Sequence, residues 1–394
     1  LCFIFYRAGH NKKTRLAALS GFFIGLAVLT KGPVGLLIFS LCVGFYLLFD
    51  AFRKFPKPKH IVAFVLALLL VIFSWWSFDI AENGFKVVGD FIDYQIRLFS
   101  TPDAGHKQPW FYHFLVVFIG CFPLSIFAIR GFFIKDSFGS LHFSKWMKIL
   151  FWVVMVLFTI VTTKIVHYSS MAYLPLSFIA SLNLYKQDAL KRWEKFLYSF
   201  FALLWSVFFI AAPIVLPDKE IMASLLEKDA FAKASFLQEV QWTGSEWIGG
   251  AVFAAFLGIA VYLIFKNKNK EAIIFHALGQ SILFVWLGYQ VLPKVEQYVQ
   301  GPAIAFFKEA QDKDVYLNVA GFKSYGRAFY SKVEPIDEAN KLNNQWLVNS
   351  PEVDKEVWIV TKVTNREYDD HTNLILKEKR GGFKLFVRPL NKTQ

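Results

Sequence analysis

The stretch VLTKGPVGLL, residues 28–37, lies inside an apolar run, and its reading decides the fold. Gly32 and Pro33 break a helix, and a lysine at position 31 is costly at the centre of a bilayer. The stretch is therefore a soluble loop, a kink in a membrane helix, or part of a site. Composition excludes the first option. Hydrophobic residues make up 55% of the 394 residues and charged residues only 19%, with 45 Phe and 12 Trp. A soluble domain is nearer about a quarter charged.

Working outward, apolar runs recur at 1–6, 16–30, 34–52, 61–81, 113–134, 149–164, 171–185, 196–216, 247–265 and 272–292. They give one helix tail and nine candidate spans, of which 16–30 and 171–185 are short for a crossing that needs roughly 17–25 residues. The loops alternate in charge. Segments 7–15, 53–59, 135–148, 186–195 and 266–270 hold 18 Lys/Arg against 3 Asp/Glu, whereas 217–246 holds 3 Lys and 6 acids. By the positive-inside rule the first set is cytoplasmic. Residues 31–33, 82–112, 164–170, 217–246 and the tail from about 293 then lie on the far side. The formal charge of +13 is met by anionic membrane lipids at the cytoplasmic loops, and nucleic acid is excluded as a partner.

The expected architecture is an α-helical polytopic membrane protein, residues 1–292, followed by a small C-terminal α/β domain, residues 293–394. In the tail, 314–319 and 356–363 read as strands, and 374–389 as a hairpin turning at Gly381–Gly382. Helical patterns at 301–312 and 323–331 lie between them. Cys2, Cys42 and Cys121 have no paired spacing and read as small buried side chains. The chain begins with Leu1 in what reads as the tail of a helix, so an N-terminally truncated piece of a longer protein is expected.

The long loop 82–112 carries most of the chemistry. Asp90, Asp93 and Arg97 are spaced to share one face of a short amphipathic helix on the membrane surface. Arg97 there either grips a phosphate in bidentate fashion or pairs with Asp93 on a solvated face. His106 is a metal ligand, an acid/base group or an ordinary loop histidine. A second cluster, TTKIVHYSSMAYLP at 162–175, brings Lys164, His167 and Tyr168 to the same side. Lys31, Arg97 and Lys164 can thus converge on one anionic headgroup, with snorkelling near helix ends as the competing explanation for the lysines.

Three stretches in this order, GLAVLTKGPVGLL (25–37), DYQIRLFSTPDAGHKQPWFYHFLVVFIGCFP (93–123) and TKIVHYSSMAYLPLSFIAS (163–181), resemble the GT-C glycosyltransferases. The closest group is the 4-amino-4-deoxy-L-arabinose lipid A transferases, with their protein O-mannosyltransferase relatives. The resemblance implies an enzyme of the bacterial inner membrane that moves a sugar from a polyprenyl-phosphate donor to a lipid or protein acceptor. The tail domain and the reacting face are then periplasmic. It implies direct displacement at the anomeric carbon, a carboxylate as base and cations on the departing phosphate. By position, Lys31 and Arg97 match the family's carrier-phosphate contacts, and Lys164 matches a looser basic turn. His106, Asp93 and His167 are the acid/base or metal candidates. The family's carboxylate lies in the first periplasmic loop, before Leu1, so the piece is expected to lack its base. The acid–histidine pair of metal-binding members reads Asp93–Tyr94 here, and Tyr94 offers no neutral nitrogen ligand. A divalent metal is accordingly left open. A lipid-substrate transporter or flippase would show internal repeats and mid-span charges, and neither is visible. A non-catalytic scaffold would leave Lys31, Arg97 and His106 without a shared task.

Overall fold

The computed structural model describes residues 13–52, 55–100, 108–134, 143–186, 189–332 and 343–390. The chain divides into two compact units, 1–199 and 200–394.

In the first unit, α1 (Thr14–Lys31) and α2 (Val34–Phe49) meet at the Gly32–Pro33 turn, and α3 (Pro58–Asn83) follows. Gly21 and Gly25 clear a stripe on α1 for α3. A Cβ on Gly21 would stand 2.1 Å from the Phe64 carbonyl oxygen, and one on Gly25 2.8 Å from Val71 Cβ. Small residues four apart allow this backbone approach in membrane helices. Phe39 of α2 stacks on Phe64 with ring centroids 4.7 Å apart, closing a core with Ala17, Ile24 and Leu68. After α3 stops at Gly84, the loop forms the expected amphipathic helix, α4 (Lys86–Ser100).

The span expected at 113–134 is broken. Its halves, α5 (Tyr112–Gly120) and α6 (Leu124–Gly131), are bent by 111°. The Phe122–Pro123 peptide between them is cis. Pro123 supplies no N–H, and the Ser125 hydroxyl instead bridges the break by donating to the Phe118 carbonyl at 2.6 Å. Next come α7 (Phe143–Ile160), a 3₁₀ turn (Val166–Ala172), α8 (Tyr173–Lys186) and α9 (Arg192–Val215). A buried polar knot joins α6, α8 and α9. Glu194 accepts from Asn183 Nδ2 at 2.6 Å and from the Lys191 N–H at 2.7 Å, and it pairs with Arg130 at 3.5 Å.

The second unit contains two short helices in the acidic loop, α10 (Lys219–Leu225) and α11 (Ala230–Phe236). Asp218 and Asp229 cap them by accepting from main-chain N–H groups. α12 (Ile248–Phe265) and α13 (Asn269–Trp286) follow, then a π turn (Leu287–Val291), α14 (Leu292–Val299) and α15 (Gly301–Glu309). Glu246, before α12, is buried. It accepts from the Thr243 N–H at 2.8 Å and the Thr243 hydroxyl at 2.9 Å, and it pairs with Lys294 of α14. Burial would raise its carboxyl. The Lys294 and Thr243 donors outweigh that and hold it at about 2.

The tail forms a four-stranded sheet from β1 (Val315–Ala320), β2 (Glu356–Lys362), β3 (Ile375–Arg380) and β4 (Phe383–Arg388), in the order β1-β2-β4-β3. β1 and β2 are parallel, and the other pairs are antiparallel. The hairpin turns at Gly381–Gly382, as its sequence predicts. Crossover helices α16 (Gly326–Ser331) and α17 (Asn344–Asn349) lie between β1 and β2 in sequence. Phe306 and Phe307 of α15 cover one face of the sheet, and Leu347 and Val348 of α17 the other. The compact units divide inside α9, although composition changes near residue 292. The sheet domain packs on the acidic loop, with Phe231 edge-on to Phe383 at 5.4 Å, and so clusters with the last apolar helices.

Six helical segments of the described residues are long and apolar enough to cross a membrane, and the bent pair makes up to seven. Of the other predicted spans, α2 has 16 residues and α8 has 14. The chain is a multi-pass membrane protein with a small C-terminal sheet domain.

Candidate functional site

The site begins at the end of α1. Gly32 adopts φ 73° and ψ −166°, and its N–H closes α1 by donating to the Val28 carbonyl at 2.8 Å. That backbone region is essentially restricted to glycine. Pro33 then sets the φ from which α2 starts. Gly32 has a second reason to be glycine. A Cβ there would lie 2.8 Å from Gln95 Oε1 of α4. The turn carrying Lys31 therefore abuts the helix carrying Arg97. Lys31 itself is exposed, consistent with a lysine at a helix end rather than within a span.

On α4, Arg97 lies over the Tyr94 ring at 5.2 Å, a cation–π arrangement at i, i+3 spacing. Phe91 meets Trp76 of α3 edge-on at 5.3 Å, which anchors α4 to the bundle. Asp90, Asp93 and Arg97 are exposed. Gln95 meets the Gly32 turn, and Arg97, two residues on, projects from a different side of the helix. The apolar residues Ile92 and Ile96 are also exposed, as expected for a face turned to lipid.

The second cluster has a different character. Lys164 is buried, and its ammonium donates to the carbonyls of Thr159 at 3.0 Å and Val161 at 2.6 Å, closing the end of α7. Two of its three donors are thus used internally. His167, on the 3₁₀ turn, is exposed and edge-on to Tyr168 at 5.0 Å. His113, at the start of α5, is fully buried with neither ring nitrogen hydrogen-bonded, packed between Tyr112 and Phe158.

The structure therefore joins the Lys31 turn to α4, and it places Lys164 and His167 around the end of α7. His106 lies outside the described residues. Among the described residues, no group of three or more His, Cys, Asp or Glu side chains is placed to hold a metal ion. Sequence reasoning missed the Gln95 contact and the burial of His113. Gln95 is polar within an apparently polar loop, and its partner is a glycine, so no pattern marks it. His113 stands at the head of an apolar run, and that position was its only signal.

The family model for dolichyl-phosphate-mannose-protein mannosyltransferase matches residues 1–76. The crystal structure of ArnT from Cupriavidus metallidurans bound to undecaprenyl phosphate superposes with a TM-score of 0.69. The alignment covers 99% of this chain and 73% of that one at 14% identity. The apo structure of the same protein gives a TM-score of 0.66, covering 95% and 68%, again at 14% identity. The fold is GT-C. The family model covers the Thr-Lys-Gly-Pro element, and the structural match spans the long loop as well. Two uncharacterised proteins of Aquifex aeolicus are 30% identical over 168 residues and 27% identical over 215 residues. The chain spans 37% and 40% of their respective lengths.

Proposed function

We propose that the protein is a glycosyltransferase that moves a sugar from a polyprenyl-phosphate carrier to a lipid or protein acceptor. The reaction takes place at the periplasmic face of a bacterial inner membrane. The acceptor oxygen attacks the anomeric carbon, the bond from that carbon to the carrier phosphate breaks, and its electron pair leaves on the phosphate. The acceptor proton passes to a base, the carboxylate that the resemblance assigns to the first periplasmic loop. In this reading Lys31 and Arg97 are the cations that neutralise the charge growing on the leaving phosphate, which lowers the barrier. Lys164 adds its remaining donor, while Asp93, His106 and His167 stand by as acid/base or metal-binding groups.

One observation carries the reading. The contact between Gly32 and Gln95 holds a lysine-bearing turn against an arginine-bearing helix, in a chain whose fold matches a protein crystallised with undecaprenyl phosphate. The test uses the full-length protein with a radiolabelled polyprenyl-phosphate sugar and a membrane extract as acceptor source. Label is expected to leave the carrier. Arg97→Ala should lower kcat/KM by roughly 100-fold, the scale of removing one preorganised donor from a developing anion. Arg97→Lys should retain part of the rate, because charge survives while the bidentate fork is lost. No transfer by the wild type would overturn the function, and wild-type transfer by Arg97→Ala would overturn the phosphate role of Arg97.

A further inference from the structure

A groove of about 640 Å³ runs between α2 and α7, away from the Lys31 turn. On α2 its wall is Leu41, Phe45 and Phe49, one stripe at i, i+4 and i+8. On α7 it is Trp152, Val156 and Ile160, with Lys145 and Lys148 at one end. Tyr46 and Trp146 stack at 4.1 Å, so the last turns of α2 meet the first turns of α7 at this same end. The groove is thus wholly apolar along its length and cationic at one mouth.

The lysines are held there. Lys145 Nζ stands 4.9 Å from the Tyr46 ring centre and 5.7 Å from that of Phe49. Lys148 Nζ donates to the Phe132 and Ile134 carbonyls at 2.7 and 2.8 Å. Among the described residues, the acid nearest this end of α2 in sequence is Asp50, against the two lysines. The mouth therefore favours an anion. From Lys145 to Ile160 the helix rises about 22 Å. That accommodates an acyl chain in a half-bilayer of about 15 Å of hydrocarbon, with a glycerol phosphate above it.

We propose that this groove is a binding site for an anionic phospholipid of the cytoplasmic leaflet. Its acyl chain lies along α2 and α7, and its phosphate sits at Lys145 and Lys148. The carrier's phosphate does not fit the cationic mouth on geometry. Its proposed phosphate contact, Lys31, precedes the first turn of α2, whereas the cationic mouth lies at the last turn, about 22 Å along the axis. Basic pockets between membrane helices on the cytoplasmic side recognise such headgroups. The proposal does not depend on sugar transfer. It depends on the orientation given by the charge alternation.

Native mass spectrometry of the delipidated full-length protein, titrated with phosphatidylglycerol or phosphatidylcholine, tests it. Phosphatidylglycerol is expected to bind at least fivefold more tightly and to raise the melting temperature more. Lys145→Ala should weaken phosphatidylglycerol by about fivefold, the scale of one lysine at a membrane surface, and leave phosphatidylcholine unchanged. Val156→Trp, which fills the groove from a half-exposed position, should weaken both lipids. Equal binding of the two lipids by the wild type would overturn the proposal without any variant. Displacement of phosphatidylglycerol by undecaprenyl phosphate at equal concentration would also overturn it, by assigning the groove to the carrier.

Discussion

At Gly32 two constraints meet in one residue. The backbone is left-handed with an extended ψ, and the space where a side chain would begin is occupied by Gln95. Relieving the second is easy, since Gln95 is long and can swing away. Relieving the first is not, because an alanine in that region carries strain of about 1–3 kcal/mol. Gly32→Ala should therefore lower the melting temperature and also reorient the turn that presents Lys31. In a sugar-transfer assay the expected result is a raised KM for the carrier, beyond what lost stability explains. An unchanged KM with a lowered melting temperature would show that the turn does not position Lys31 for the carrier. Lys31 and the Gly-Pro turn were legible in the sequence, because a lysine and two breakers inside an apolar run are conspicuous. The Gln95 contact was not, since it joins residues more than sixty positions apart and neither residue type announces it.

Among the elements, the crossing of α1 and α3 sets where that turn stands. Gly21 and Gly25 remove the side chains that would hold the two helices apart, and the Phe64 carbonyl occupies the vacated space. Gly21→Ala should cost about 1–3 kcal/mol, the usual range for overpacking a close-packed contact. Gly44, on α2, provides the comparison, because a Cβ there meets nothing within 4 Å. Gly44→Ala should be neutral or slightly stabilising, since glycine is the weaker helix former by roughly 0.8–1 kcal/mol. Thermal unfolding in detergent measures both, and similar losses at the two positions would refute the close-crossing argument. The same level explains which elements sequence could reveal. Long apolar runs and the amphipathic period of α4 were readable because each pattern is local. The break between α5 and α6 falls inside one expected span, because hydropathy runs on through Cys121–Phe122–Pro123 while the backbone turns by 111°. The capped helices α10 and α11 were hidden because each has only seven residues.

Across the molecule, the sign of charge in the loops organised the topology, and one buried charge pair, Glu246–Lys294, couples the stability of the second unit to acid. Glu246 has its carboxyl at about 2 in the folded chain, below its ordinary value of 4.5, despite burial that would raise it. A folded value below the unfolded one means that the unfolded chain binds the proton first as pH falls. Its contribution is therefore fully present above about pH 4.5 and is lost progressively toward pH 2. Lys294→Met removes the partner while keeping bulk and leaves a buried, half-satisfied carboxylate. That should cost about 3–5 kcal/mol at neutral pH. Protonating Glu246 relieves part of that cost, so the gap between variant and wild type should narrow as pH falls below about 4.5. Melting temperatures measured from pH 7 down to pH 3 report this directly. If the gap stayed constant through that window, the Glu246–Lys294 pair would not be what the second unit loses in acid.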